Sequence, residues 1–137
     1  MKAKSKGFTL VELMLVVVII GILVSMITPR LVGRSEEAKI AATKADIHSN
    51  LSLALDLFRM DNGRYPTTEE GLKALLQTPG GMATWRGPYL RQGRLEDHWN
   101  RQYLYHSPGA HNGDFDLAST GQDSIEGNQD DITNWNQ

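Results

Sequence analysis

A run of 20 residues, from position 8 to position 27, contains a single charged side chain, that of Glu12. As an α-helix, which rises about 1.5 Å per residue, such a run is roughly 30 Å long and matches the hydrocarbon thickness of a bilayer. Positive residues before a membrane segment favour a cytoplasmic N-terminus, and the run follows Lys2, Lys4 and Lys6. The sequence therefore predicts a membrane-spanning helix near the start of the chain.

Two other interpretations of this run are a secretory signal peptide and a plain membrane anchor. A signal peptide needs a small-residue cleavage site after the apolar stretch, and residues 24–33 (VSMITPRLVG) provide a poor one. A plain anchor leaves Glu12 unexplained, because a carboxylate within a spanning helix costs about 3 kcal/mol and is a functional candidate by default. A glutamate near a helix N-terminus also gains modestly from the helix dipole, so this simpler role for Glu12 stays open.

Charge and cysteine content exclude several classes of protein. The net charge of −2 gives no overall basic field, so no nucleic-acid partner is expected. Basic and aromatic residues do interleave between positions 85 and 101, but Glu96 and Asp97 among them favour a solvated loop. A chain without cysteine has no disulfide framework or zinc ribbon. The four histidines lack zinc-helix spacing and no nucleophile-turn motif accompanies them, so we expect no enzyme.

Beyond Pro29 the apolar run gives way to an amphipathic pattern that predicts a stem helix. Apolar residues recur every three or four positions, and they are Ile40, Ile47, Leu51, Ala54, Leu55 and Phe58, broadened by Leu53 and Leu57. A turn signal over residues 61–63 (DNG) ends this helix. One helix is therefore predicted from about residue 8 to about residue 61, with an apolar first half and a second half that packs on a globular domain.

The remaining residues predict a short second helix and two or three strands. Thr67 and Glu70 have the spacing of a capping box, and the apolar face of the helix that they begin is Leu72, Leu75 and Leu76. Alternating segments at residues 89–90, 103–105 and 115–117 predict strands, with a hairpin turn at residues 112–113. The predicted fold class is α+β, with a long N-terminal transmembrane and stem helix packed against a small antiparallel β-sheet.

The C-terminal segment is acidic. Residues 102–137 contain six acidic residues and no Lys or Arg, and residues 123–131 (DSIEGNQDD) collect oxygen ligands around a glycine, as a hard cation requires. The spacing is not that of an EF-hand loop. From the residues alone, a solvated acidic loop and a calcium site are equally open.

The start of the chain, Gly7-Phe8-Thr9-Leu10-Val11-Glu12 after a Lys-rich head, resembles the class III leader of type IV pilins and type II secretion pseudopilins. The resemblance implies that a prepilin peptidase cuts between Gly7 and Phe8 and that the new amine of Phe8 is methylated. It also implies that Pro29 is the family's helix-kinking proline. A buried carboxylate is tolerable only when it is paired. Glu12 would then pair with the amine of a neighbouring subunit and set its axial step.

Residues 61–75 (DNGRYPTTEEGLKAL) and the segment from Trp99 through the tail resemble the major pseudopilin of type II secretion systems. This resemblance implies a type IV pilin-like fold in four segments. They are a leader (1–7), a transmembrane and filament-core helix (8–31), an amphipathic stem helix (32–62) and a periplasmic globular domain (63–137). The implied function is a structural subunit that polymerises into the periplasmic pseudopilus and drives export of folded proteins across the outer membrane.

The same resemblance implies a C-terminal calcium loop, whose ligand set is the carboxylates of Asp123 and Asp130, the backbone carbonyl of Thr120, and groups near Ile125 and Asp131. The implied partners are further copies of the chain, minor pseudopilins, an inner-membrane assembly platform and the prepilin peptidase. The implied location is the inner membrane and then the periplasmic pseudopilus. One departure is Ser124, where the family often carries glycine.

Two other functions remain open. A type IV pilin of a surface fibre usually closes its C-terminal loop with a disulfide, whereas this chain has no cysteine. A membrane-anchored calcium-binding domain that never polymerises gives no reason for Glu12.

Overall fold

The computed structural model describes residues 7–91 and 95–135, and for residues 27–32 it describes the backbone alone. Two compact units are distinguished, one ending at Glu37 and the other beginning at Ala38. The first unit is helical from Leu10 onward as part of helix α1 (Leu10–Ala45). Among the described residues, no helix combines the length and the apolar character needed to cross a bilayer. Most of the predicted leader, and the side chains at the end of the predicted span, lie outside the described residues.

A π-helical segment (Asp46–Leu51) joins α1 to helix α2 (Ser52–Asn62). The hydroxyl of Ser52 donates to the carbonyl oxygen of Ile47 at 2.6 Å. The carboxylate oxygen Oδ2 of Asp46 lies 3.2 Å from both Nε2 of His98 and the hydroxyl of Tyr103. The stem is therefore tied to the loop before the sheet at the point where its helical hydrogen bonding changes.

The inner face of the stem forms one side of the hydrophobic core. Ile47, Leu55 and Phe58 are completely buried, whereas Ile40, Leu53 and Leu57 are 38%, 61% and 40% exposed. The predicted buried stripe was therefore too wide, because the short strands cover only a narrow strip of the helix. Helix α2 ends as predicted at Gly63, whose φ of +74° places it in the left-handed region that glycine tolerates, and whose N–H donates to the carbonyl of Arg59.

The predicted second α-helix is instead a single 3-10 turn, Leu72–Leu75. The capping box does form: the N–H of Thr67 donates to Oε2 of Glu70 at 2.8 Å, and the N–H of Glu70 donates to Oγ1 of Thr67 at 3.2 Å. Gly71 then adopts a φ of +58°, which interrupts any α-helix at its first turn. Leu72 and Leu75 are nevertheless buried, so the apolar face contacts the core. A second 3-10 turn follows at Pro79–Gly81.

The sheet has three antiparallel strands in the order β1-β2-β3: β1 (Leu104–His106), β2 (Asp116–Ser119) and β3 (Ile132–Thr133). Leu104 is opposite Ala118, and Ser119 is opposite Ile132. The α+β class, with a long N-terminal helix and a small antiparallel sheet, is thus confirmed.

One predicted strand of the sheet was wrong, and two details of the sheet were not predicted. Residues 89–90 form no strand; the ring of Tyr89 instead packs edge-on against Phe58, with centroids 5.6 Å apart. The predicted hairpin turn at residues 112–113 lies within a longer loop, residues 107–115. Strand β3 carried no strand pattern of its own, because two residues are too few to show alternation.

Candidate functional site

The first predicted site lies at the start of α1, where Glu12 forms a capping box with Thr9. The N–H of Glu12 donates to Oγ1 of Thr9 at 3.2 Å, and Oε2 of Glu12 accepts the N–H of Thr9 at 3.4 Å. Thr9 directly follows Phe8, whose amine the predicted cut after Gly7 would free. The carboxylate therefore already points toward the N-terminal end of the helix. The T-x-x-E spacing was visible in the sequence and was missed there.

An exposed apolar surface extends from this site along α1. Every described side chain from position 8 to position 26 is exposed, and Phe8 is 73% exposed. Contiguous apolar surface of this extent marks a membrane or protein contact. Pro29 lies within α1, but the role predicted for it concerns a side chain outside the described residues.

The second predicted site is the loop of residues 120–131, which connects β2 to β3 and is called the acidic loop below. Oδ2 of Asp130 accepts the N–H groups of Gln122 and Asp123, at 2.9 and 3.1 Å. Gly121 is buried with a φ of +59°, and a Cβ there would overlap the carbonyl and carboxylate of Asp130. Asp130 thus joins the first arm of the loop (residues 120–123) to the second arm (residues 128–131), and this close approach requires glycine at position 121.

Two further carboxylates bind backbone within the acidic loop. Oδ1 of Asp123 accepts the N–H of Ile125 at 2.8 Å, and Oδ2 of Asp131 accepts the N–H of Gly127 at 2.6 Å. The other oxygen of Asp131, Oδ1, is buried and has no hydrogen-bond partner in the described part of the chain. Leaving a buried acceptor unpaired costs about 1–3 kcal/mol, and a cation would satisfy it.

The residues predicted to bind calcium all lie in this loop. The side chain of Ile125 has no ligating atom, so only its backbone carbonyl could bind a cation, and the Oγ1 of Thr120 already accepts a hydrogen bond from Arg101. No group of three or more His, Asp or Glu side chains among the described residues has the geometry of a metal site. Calcium binds with mixed carbonyl and carboxylate oxygens in flexible geometry. The donor types suit calcium, and the site stays a prediction.

A buried anchor lies beneath the first arm of the acidic loop. Asp97, predicted to belong to a solvated loop, is completely buried, so that prediction was wrong. Its Oδ1 accepts the N–H groups of Trp99 and Arg101, and its Oδ2 accepts the hydroxyl of Ser119 at 2.6 Å. The Ser119 oxygen in turn accepts the N–H of Gly121 at 3.3 Å. The hydrogen bond from the N–H of Trp99 to the side chain of Asp97, two residues earlier, forms an Asx-turn. The tendency of aspartate to form such turns is the only local signal in the sequence that could have indicated the role of Asp97.

The loop between β1 and β2 closes on a second buried carboxylate, that of Asp116. It accepts the N–H groups of Ala110, His111 and Asn112 at 2.8–3.2 Å, and Nδ1 of His111 lies 2.9 Å from its Oδ2. Burial alone would raise the pKa of Asp116, but these hydrogen bonds outweigh it and lower the pKa to about 2. The imidazole of His111 also stacks on Trp135 at 4.3 Å, so this loop contacts the C-terminal segment.

Comparison with known families and proteins covers both sites. Residues 30–135 match the family described as type II secretion system (T2SS), protein G, and residues 2–28 match the prokaryotic N-terminal methylation motif. Proteins named type II secretion system core protein G are similar over nearly the whole chain. The one from Escherichia coli strain K12 is 41% identical over 136 residues, covering 96% of this chain and 92% of its own. The one from Vibrio cholerae is 43% identical over 139 residues, covering 97% and 93%.

A solved structure gives the same result. The crystal structure of the major pseudopilin from the type 2 secretion system of enterohaemorrhagic Escherichia coli is similar with a TM-score of 0.65 and 35% sequence identity. The similarity covers 77% of this chain and 89% of that one. The methylation motif, the long helix with its small antiparallel sheet and the sequence relatives agree, and the chain belongs to the type II secretion system protein G family.

Proposed function

We propose that this chain, as a member of that family, is a structural subunit that polymerises into a periplasmic pseudopilus and performs no catalysis. The observation that carries the proposal is the exposed apolar surface of residues 8–26 with one carboxylate, Glu12, at its start. Side-by-side packing of such helices buries apolar surface, which stabilises association by about 25 cal/mol per Å². Further copies of this chain are therefore the first partners, with minor pseudopilins and an inner-membrane assembly platform beside them.

The polymerising form arises by cleavage between Gly7 and Phe8 and methylation of the new amine. Because the cut precedes the apolar surface, the mature subunit keeps it, first in the inner membrane and then in the filament. The test is the mass of the N-terminal peptide from cells that contain a prepilin peptidase. A peptide beginning with methylated Phe8 is expected. A mature peptide that begins at Met1 or beyond residue 27 would reject this processing.

In the filament, Glu12 pairs with the amine of a neighbouring Phe8. A carboxylate in an apolar filament core is strongly disfavoured unless it is paired, so a subunit is stable there only at the axial step that brings an amine to it. Glu12→Ala should therefore insert in the membrane but give no regular filaments in electron micrographs. Thr9→Ala is the matched control, since it breaks the capping box and keeps the carboxylate.

The two variants separate pairing from helix capping. Normal filaments and secretion with Glu12→Ala would contradict the pairing. Absence of filaments from the parent protein would instead favour the non-polymerising alternative. Equal loss of filaments with Thr9→Ala and Glu12→Ala would assign the effect to the helix cap.

The acidic loop binds calcium through Asp123, Asp130 and Asp131 together with the carbonyls of Thr120 and Ile125. Bound calcium would neutralise clustered carboxylates and cross-link the two arms of the loop. The unpaired Oδ1 of Asp131 supports this assignment, as does the lack of any Lys or Arg in residues 102–137.

Thermal melting of residues 38–137, the unit that holds all the buried core residues described, tests the calcium assignment. Calcium at 100 times its dissociation constant should stabilise this unit by about 2.7 kcal/mol, and magnesium should act more weakly. Asp123→Asn should abolish the shift. Glu126→Gln, within the same loop but outside the ligand set, should keep it. A midpoint that is the same in calcium and in chelator would refute the assignment.

A further inference from the structure

Arg101 contacts the first arm of the acidic loop with both ends of its guanidinium group. Its Nη1 donates to Oγ1 of Thr120 at 3.3 Å, and its Nη2 donates to the carbonyl oxygen of Gln122 at 2.9 Å. These two residues flank Gly121, so the guanidinium spans the position where the chain makes its left-handed turn. The planar fork of an arginine suits such a two-point contact, whereas the donors of a lysine all project from one nitrogen atom.

The backbone of Arg101 is itself held in place, and its side chain contacts Trp99. The backbone N–H of Arg101 donates to the buried carboxylate of Asp97 at 3.0 Å, and its carbonyl accepts the N–H of Asp97 at 2.7 Å. The Arg101 side chain is partly buried, and its Cζ lies 6.0 Å from the ring centroid of Trp99. A side chain that leaves a held backbone and packs beside an aromatic ring loses less entropy when it bonds the loop than a freely exposed arginine does.

The positive charge of Arg101 lies close to the carboxylates of the same loop. Gln122 accepts a hydrogen bond from Arg101 at its carbonyl and donates one to Asp130 at its N–H. A single residue, Gln122, therefore connects the guanidinium to the carboxylate. At such short range, compared with a Debye length of about 8 Å at physiological ionic strength, salt screens the interaction of the two charges only in part.

We infer that Arg101 is a built-in cation of the acidic loop, which holds the first arm in place without a metal and lowers the affinity of the loop for calcium. This inference rests on the calcium function proposed above. The arginine charge offsets part of the repulsion among the loop carboxylates, and it repels a divalent cation that binds to them. Removing it should therefore loosen the metal-free loop and tighten calcium binding, two effects of opposite sign from one side chain.

The test uses the full-length chain in detergent micelles, with calcium titrated in a calorimeter and thermal unfolding followed by circular dichroism. Arg101→Gln should lower the calcium dissociation constant about three- to tenfold. In chelator the same variant should melt about 4 °C below the parent protein. Arg101→Lys keeps the charge and loses the fork, so it should melt early in chelator yet bind calcium within about twofold of the parent affinity.

Two controls separate charge from structure. Arg86→Gln removes an equal charge from an exposed position in another loop and should change neither measurement. The gain in affinity of Arg101→Gln should shrink in 1 M sodium chloride, where the Debye length is about 3 Å, which a purely structural effect would not do.

The outcomes distinguish a failure of this inference from a failure of the calcium-binding function on which it rests. The inferred effect of Arg101 on affinity is wrong if Arg101→Gln binds calcium as tightly as the parent protein, or if both Arg101 variants bind it more weakly. In either case the calcium-binding function itself would stand. An unchanged melting midpoint of Arg101→Gln in chelator overturns its holding role. No binding heat from the parent protein overturns the calcium function and the affinity part of the inference together.

Discussion

The carboxylate of Asp116 gives a quantitative test of how the loop between β1 and β2 is held. Three backbone N–H groups and His111 bind it, and they lower its pKa from 3.8 to about 2 in spite of its burial. One pKa unit is worth about 1.36 kcal/mol, so this lowering corresponds to about 2 kcal/mol of folding stability. Because the folded pKa lies below the unfolded one, the contribution is complete above about pH 4. It is lost as the pH falls toward about 2.

Asp116→Asn removes this contribution, since an amide cannot be ionised and its NH2 group cannot accept from the same donors. Urea unfolding of residues 38–137 at pH 7 should show a free energy of unfolding about 2 kcal/mol below that of the parent unit. The difference between the two should narrow as the pH is lowered from 4 to 2. Asp114→Asn, which changes an exposed neighbour, should differ by less than about 0.5 kcal/mol. A difference that does not depend on pH would refute the reasoning.

Three further changes test single contacts by the same urea unfolding. Thr43 is completely buried, and its Oγ1 has no hydrogen-bond partner in the described part of the chain. Thr43→Val should therefore raise the free energy of unfolding by about 1 kcal/mol, and a lower value would show that the hydroxyl is bonded. Ser124 has a φ of +70°, which glycine adopts without strain. Ser124→Gly should therefore raise the free energy of unfolding by about 0.5–1 kcal/mol, whereas Ser124→Ala should leave it unchanged. Asp97→Ala leaves the hydroxyl of Ser119 without its acceptor and should lower the free energy of unfolding by about 3 kcal/mol. Glu96→Ala, at an exposed position beside it, should lower it by less than about 0.5 kcal/mol.

Local signals in the sequence predicted most of the helical part of the fold. The capping box of Thr67 and Glu70 and the stop at Gly63 depend on neighbours within four residues, and both occur as predicted. The π-helical segment did not follow from local pattern. Its first residue, Asp46, is held by His98 and Tyr103, more than 50 residues along the chain. Such a tertiary contact leaves no trace in helical periodicity.

In the candidate site, too, features that depend on neighbouring residues were predicted and features that depend on distant residues were not. Composition predicted the acidic loop, because carboxylates close together in sequence are close together in space. It could not predict that Asp97 is buried, since the partner that justifies the burial, Ser119, lies 22 residues away. Arg101 was hidden for the same reason, because its contacts with the loop span 19 and 21 residues. The departure at Ser124 was visible in the sequence, and its positive φ explains why glycine suits the position.

The acidic loop matters to the fold because of what it connects. Strand β3 is only two residues long and pairs with β2 alone, at Ser119 and its neighbour. Ordering the backbone of the intervening loop costs about 1–2 kcal/mol of conformational entropy per residue. The hydrogen bonds of two paired residues do not offset that cost. The hydrogen bonds of Asp130, the anchor at Asp97 and the hydrogen bonds between Asn134 and the backbone of Leu117 and Phe115 add to the pairing of these strands. Whatever orders the loop also holds Ile132 in the core, so a cation bound to the loop would be linked to the packing beneath the sheet.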